Sequence, residues 1–173
     1  IGLPYPGGPS IAEAAKNGNP HAYILPKAKL SGKYDFSFSG LKTAALRAVQ
    51  REVGVDFTFP SSGLAERLDD AQRANFAASF QQTAIETLVD KTAKAYFDYM
   101  PKSVVIAGGV AANQELRRML SEALPVTINY PPINLCTDNA AMVATLGYYQ
   151  SQISQPADPY SLDVIPSLSM IKR

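Results

Sequence analysis

The stretch from Val104 to Leu116, Val-Val-Ile-Ala-Gly-Gly-Val-Ala-Ala-Asn-Gln-Glu-Leu, restricts the possible folds of this chain more than any other. Its three β-branched residues and one alanine make an apolar run too short for a helix, so Val104 to Ala107 reads as a buried strand. Gly108 and Gly109 lack a Cβ, which permits positive φ, a sharp turn and close approach of a ligand to bare backbone. Asn113 then reads as the N-cap of a helix over Gln114 to Ala123, whose free N–H groups point back at the turn. Such a cradle lies at the C-terminal end of a strand, where open α/β sheets bind ligands and a helix N-terminus favours phosphate or carboxylate. The pattern is neither the dinucleotide G-x-G-x-x-G nor the P-loop, so neither mechanism transfers. Spacing alone leaves a ligand site and a plain tight turn both open.

A chain of 173 residues fits one domain or one lobe of a larger enzyme. With 46% apolar and 18% charged residues it is ordinary for a soluble globular protein, which excludes disorder as its organising property. Sixteen basic residues against fifteen acidic leave a formal charge of +1, so any nucleic-acid contact must be local. The single cysteine, Cys136, cannot form an internal disulfide, and the single histidine, His21, has no ligand partner at metal spacing and reads as a surface residue. Both suit a reducing cytoplasm, and no run has signal-peptide or membrane-spanning length. The chain opens at Ile1, without methionine and inside a glycine-rich turn, so an upstream portion is expected.

Tyr5-Pro-Gly-Gly-Pro9 reads as a rigid turn, with Ser10 capping a helix from Ile11 to about Lys16 that Asn17-Gly-Asn-Pro20 ends. Residues His21 to Leu30 read as an irregular connection. Phe36 and Phe38 alternate with serines at strand period, and Ser39 or Gly40 opens a helix that turns Leu41, Ala44, Ala45 and Val49 inward. That segment is either an extended arm held by two phenylalanines or, through Ser37, Ser39 and Lys42, a gathering of donors for an anion. After a loop over Gly54 to Leu64, Asp69 and Gln72 form a capping box, and Phe76, Phe80, Ala84, Leu88, Thr92 and Ala95 keep a stripe along a long helix ended by Pro101. A second strand is expected near Val126 to Asn129. Thr137 or Asp138 then caps a helix reaching roughly Tyr149. Asp138 has two readings, helix cap or carboxylate ligand for a metal. The tail after Ser151 lacks periodicity and reads as loosely held or docked on the surface. Neither an internal repeat nor an arginine-aromatic stacking platform is present.

Three segments, Tyr5-Pro-Gly-Gly-Pro9, Asp35-Phe-Ser-Phe-Ser-Gly-Leu-Lys-Thr43, and Ala107-Gly-Gly-Val-Ala-Ala-Asn113 paired with Cys136-Thr-Asp-Asn-Ala-Ala-Met142, together resemble the C-terminal half of the bacterial tRNA adenosine threonylcarbamoyltransferases (TsaD), once called O-sialoglycoprotein endopeptidases. The resemblance spans Ile1 to about Tyr149. It implies an α/β, helix-rich, incomplete C-terminal lobe of the actin-like ATPase, sugar kinase and heat-shock ATPase fold. Residues 1–150 would form this nucleotide-binding lobe, with an inserted helical segment at about 32–100, and residues 151–173 its tail. The implied reaction moves a threonylcarbamoyl group from threonylcarbamoyl adenylate to the exocyclic nitrogen of the adenosine beside the anticodon of tRNA. Carried over by position, Gly8 and Asn113 contact the adenylate or nucleotide (ATP or threonylcarbamoyl adenylate). Gly108 and Gly109 form the adenosine-side turn, and Asp138 is a carboxylate ligand of one divalent metal ion, iron or zinc. The implied partners are tRNA, a paralogous non-catalytic subunit and a small ATPase of the bacterial pathway. Homo-association of the fragment is also expected, and no membrane.

This chain departs from the family in three respects. The other metal ligands, two histidines spaced H-x-x-x-H, belong to the N-terminal half and are not in this sequence. The Ser-Gly-Gly phosphate-side loop and an aspartate that precede Tyr5 in the family are absent. Ala12 stands where many relatives carry an acid, with Glu13 adjacent. The expectation is a fragment inactive alone, and nothing in the sequence identifies a general base. A non-catalytic nucleotide-binding lobe is the alternative. A metalloprotease would need H-E-x-x-H or a similar set, which is missing.

Overall fold

Asp69 and Gln72 open the longest helix by bonding to one another: the Gln72 backbone N–H donates to Asp69 Oδ1 at 2.7 Å and the Asp69 N–H to Gln72 Oε1 at 3.1 Å. This is the capping box that the sequence predicts, and it satisfies two N–H groups that a helix start otherwise leaves unpaired. The structure, a computed structural model, describes residues 1–166; the part of the expected tail at 167–173 lies outside the described residues. Among the described residues the helices are α1 (Gly7–Ala15), α2 (Ser39–Glu52), α3 (Asp70–Tyr99), α4 (Gln114–Ala123) and α5 (Ala140–Ser151). The strands are β1 (Val104–Val105) and β2 (Ile128–Asn129), paired in parallel with Val104 opposite Ile128. The fold is therefore a helix-rich α/β arrangement with one small parallel sheet. No described helix is long and apolar enough to cross a membrane.

The chain divides into two compact units, one of Ile1–Cys136 and one beginning at Thr137, so the division falls inside the span 1–150 that the resemblance treats as one lobe. In the first unit α3 is the axis. Its first half packs with Val49 of α2 and with Leu64 and Leu68 of the intervening loop around Phe76. Its second half packs Ile85, Val89 and Tyr96 against Leu116, Leu120 and Ile128. Leu120, 1% exposed, lies at the centre of that cluster, where burial of one such side chain contributes roughly 1.5–3 kcal/mol.

Four expectations need correction. Ser10 does not cap α1: the helix begins at Gly7 with Pro6 before it, and the Ser10 hydroxyl donates back to the Pro6 carbonyl at 3.1 Å. Phe36 and Phe38 form no strand; their rings pack on each other at 5.6 Å and α2 starts at once. On α3, Phe76 alone of the anticipated stripe is fully buried, while Ala77, Ser79, Thr83 and Ile85 are buried instead. Neighbours on several sides of the helix widen its buried face beyond one stripe. The strand over Val104 to Ala107 shortens to two paired residues and is not buried on both faces. Val104 and Ile106 join the core, whereas Val105 is 68% exposed on the opposite face, as the two-residue period of a strand dictates when only one face is covered. The second strand, the α4 helix and the surface position of His21 agree with expectation.

Candidate functional site

Gly108 turns the chain out of β1 with φ 89° and ψ 172°, a backbone region in effect reserved for glycine. An added Cβ there would meet nothing within 4 Å, so this glycine answers to backbone geometry and leaves open space beside it. Gly109 does not share the positive φ; it opens a 3₁₀ turn, Gly109–Ala112, closed by the Ala111 N–H donating to the Gly108 carbonyl at 2.9 Å. Both glycines are exposed. Only one of the pair therefore needs to be glycine for conformational reasons.

Asn113 follows as the N-cap of α4, its Oδ1 accepting the Leu116 N–H at 3.0 Å. The other end of its carboxamide is also engaged: Nδ2 donates to Gln81 Oε1 on α3 at 3.0 Å. Arg117, one turn on, braces the same turn from behind, its Nε donating to the Ala111 carbonyl at 2.6 Å. The same guanidinium donates from Nη2 to the Pro131 carbonyl at 3.2 Å and to the Cys136 sulfur at 3.3 Å, and lies over the Tyr130 ring at 4.6 Å. The glycine turn and the segment after β2 are thus held by one planar, always charged group. Glu115 places a carboxylate in the first turn of α4, and its bonds from Arg118, at 2.5 and 2.9 Å, hold its pKa below the ordinary glutamate value.

Neither Gln81 nor Arg117 stood out in the sequence. The signal for Gln81 was a polar pair, Gln81-Gln82, between Phe80 and Thr83 of the long helix, and nothing in the local pattern pairs it with a residue 32 positions away. Arg117 carried no signal beyond its position next to Arg118.

Gly8 sits exposed in the first turn of α1, which packs on α3, so the elements carrying Gly8 and Asn113 meet a common helix. The proline-flanked turn expected around Gly8 is helical from Gly7 onward. In the second unit, the α5 cap is neither Thr137 nor Asp138. Asn139 takes it, with Oδ1 accepting the Met142 N–H at 3.0 Å, and Nδ2 donating to the Thr137 carbonyl at 2.9 Å. An amide can do both at once, which a carboxylate cannot. Asp138 is left exposed and takes no part in that cap. Among the described residues no three His, Cys, Asp or Glu side chains gather as a metal-binding group, so Asp138 by itself does not amount to a metal centre.

Residues 1–145 match the family model described as tRNA N6-adenosine threonylcarbamoyltransferase, TsaD. The chain belongs to this family. Curated relatives of that name include those of Thermomicrobium roseum, 44% identical over 100% of this chain and 49% of the relative, and Symbiobacterium thermophilum, 45% identical over 98% and 47%. That of Dehalococcoides mccartyi is 43% identical over 98% of the chain and 47% of the relative. The chain spans about half the length of the curated TsaD relatives it matches, and the cradle at Gly108 and the segment containing Asp138 both fall within the matched residues.

Proposed function

We propose that this chain is the C-terminal half of a tRNA N6-adenosine threonylcarbamoyltransferase, a cytoplasmic enzyme that moves a threonylcarbamoyl group from its adenylate to the exocyclic nitrogen of an adenosine in tRNA. The observation that carries the reading is sequence identity of 43–45% to transferases of that name along nearly the whole chain. In this reading residues 1–150 form a nucleotide-binding lobe of the actin-like ATPase type, with the helical segment at 32–100 inserted, and the remainder is a tail. The bare backbone at Gly108 and Gly109 admits the purine and ribose, Gly8 borders the nucleotide, and the Asn113 amide bonds to it. Positioning of the adenylate against the tRNA amine is the contribution these residues make to rate. Asp138 would offer its carboxylate to a divalent metal, iron or zinc, whose other ligands would be two histidines outside this chain. The partners are tRNA, a non-catalytic paralogue and a small ATPase.

A second reading, a nucleotide-binding lobe without catalytic activity of its own, follows from the chain's spanning about half the length of its relatives. Asp138→Ala separates the two when this chain is co-expressed with the part of the Thermomicrobium roseum relative that it does not cover. The transferase reading expects loss of bound metal and of transfer with ATP affinity retained. Unchanged transfer removes Asp138 from the site, and ATP binding without transfer in the unaltered pair supports the second reading.

A further inference from the structure

We propose that Gln81 is a positioning residue for the candidate adenylate site: it locks the direction of the Asn113 carboxamide, so that Asn113 meets the ligand as a hydrogen-bond donor. The proposal rests on the reading of Asn113 as a ligand contact given above. Its physical basis is a pair of linked bonds with one fixed sense. The Leu116 backbone N–H can only donate, and it takes Asn113 Oδ1 at 3.0 Å. That turns Nδ2 outward, where it donates to Gln81 Oε1 at 3.0 Å. Flipping the Asn113 amide would set an N–H₂ group against the Leu116 N–H and an oxygen against the Gln81 oxygen, two repulsive contacts in place of two bonds. Gln81 is half-buried on the long rigid helix α3, so the restraint comes from an element outside the glycine turn. Nδ2 carries two N–H bonds and Gln81 uses one. In this proposal the other donates to an acceptor on the ligand, such as a ribose or phosphate oxygen or a ring nitrogen.

A side chain restrained at both ends loses little further freedom when a ligand binds, which is how preorganisation raises affinity. Removing Gln81 keeps the Leu116 bond to Oδ1 but releases Nδ2, so the amide can pivot about that bond and the loss falls on ligand binding more than on folding. Gln81→Glu keeps an acceptor oxygen at the same place and is the conservative control, whereas Gln81→Leu abolishes the acceptor.

The test measures ATP affinity in this chain paired with the complementary part of the Thermomicrobium roseum relative, together with the Asn113 side-chain amide resonances in the ¹⁵N NMR spectrum of the chain itself. Gln81→Leu is expected to weaken ATP binding by about tenfold, the size of one net hydrogen bond, and to speed exchange of the Asn113 amide protons. Gln81→Glu is expected to stay within about threefold of wild type, and Gln81→Leu combined with Asn113→Ala to be no worse than Asn113→Ala alone. If Asn113→Ala weakens ATP binding and Gln81→Leu does not, Gln81 is not a positioning residue and the proposal is overturned while the site reading stands. If Asn113→Ala has no effect, the assignment of Asn113 as a ligand contact fails and takes the proposal with it.

Discussion

Gly18 lies so close to Ala74 that a Cβ added to it would stand 2.1 Å from the Ala74 carbonyl oxygen. The contact is backbone against backbone, so no side-chain rotation relieves it. It lets the segment after α1 lie flat on α3, where the Asn19 N–H donates to Asn75 Oδ1 at 2.7 Å and the Tyr23 N–H to Ser79 Oγ at 3.1 Å. Gly18→Ala is expected to destabilise the chain by roughly 1–3 kcal/mol, as overpacking of a close contact does. The urea midpoint should fall; an unchanged midpoint would mean that the segment is not seated on α3 in this way.

Gln50, 1% exposed, holds the loop after α2 in place. Its Nε2 donates to the carbonyls of Phe57 at 3.2 Å and Phe59 at 3.0 Å, and its Oε1 accepts from Arg47 at 3.0 Å. Gln50→Leu fills similar space but takes from the Phe59 carbonyl its bond, whereas the Phe57 carbonyl keeps the one from Arg47 at 2.6 Å, so the cost is about 1–3 kcal/mol for one unsatisfied group. Chemical denaturation should show a loss in that range, and hydrogen exchange should rise in residues 55–60.

Gly108 and Gly109 should respond differently to the same change. With φ 89° and ψ 172°, Gly108→Ala introduces backbone strain of about 1–3 kcal/mol although the space beside it is open. Gly109→Ala, in the 3₁₀ turn without positive φ, should leave the unfolding free energy within about 0.5 kcal/mol of wild type, as surface substitutions generally do. Equal effects at the two positions would contradict the turn geometry described above.

The legible part of the fold was local. The Asp69 box, the Asn113 cap, the bounds of α4 and the glycine turn each depend on residues within four positions of one another, so the sequence predicts them directly. What the chain hid were contacts between distant positions: Gln81 with Asn113, Gly18 with Ala74, and Arg117 with the segment around Pro131 and Cys136. The extent of the sheet was hidden for a different reason. An apolar run shows that a strand can be buried but not how many neighbours cover it, and Val105 faces solvent because one face of β1 is uncovered. The α5 cap was misread because Thr, Asp and Asn adjoin there, and only geometry decides among neighbouring cap formers.

Acid should weaken the helical framework through Glu86 and Glu115. Hydrogen bonds from Lys27 hold Glu86 below its ordinary value of 4.5, and those from Arg118 do the same for Glu115. A depressed carboxyl pKa contributes stability that is fully present above the unfolded value and is lost as pH falls through the folded one. The denaturation midpoint should therefore drop below pH 4.5, modestly because both pairs are partly exposed, and less at high salt. The double substitution Glu86→Gln with Glu115→Gln should flatten that slope, and an unaltered slope would assign the acid response to other groups.

The measurement closest to the central claim is the threonylcarbamoyladenosine content of tRNA, read by mass spectrometry of its nucleosides after incubation with threonylcarbamoyl adenylate. This chain alone, and this chain co-expressed with the uncovered part of the Thermomicrobium roseum relative, are compared. No modified adenosine is expected with the chain alone, and clear modification is expected with the pair. Modification by the chain alone, or a folded pair that binds ATP yet leaves the tRNA unchanged, would contradict that claim.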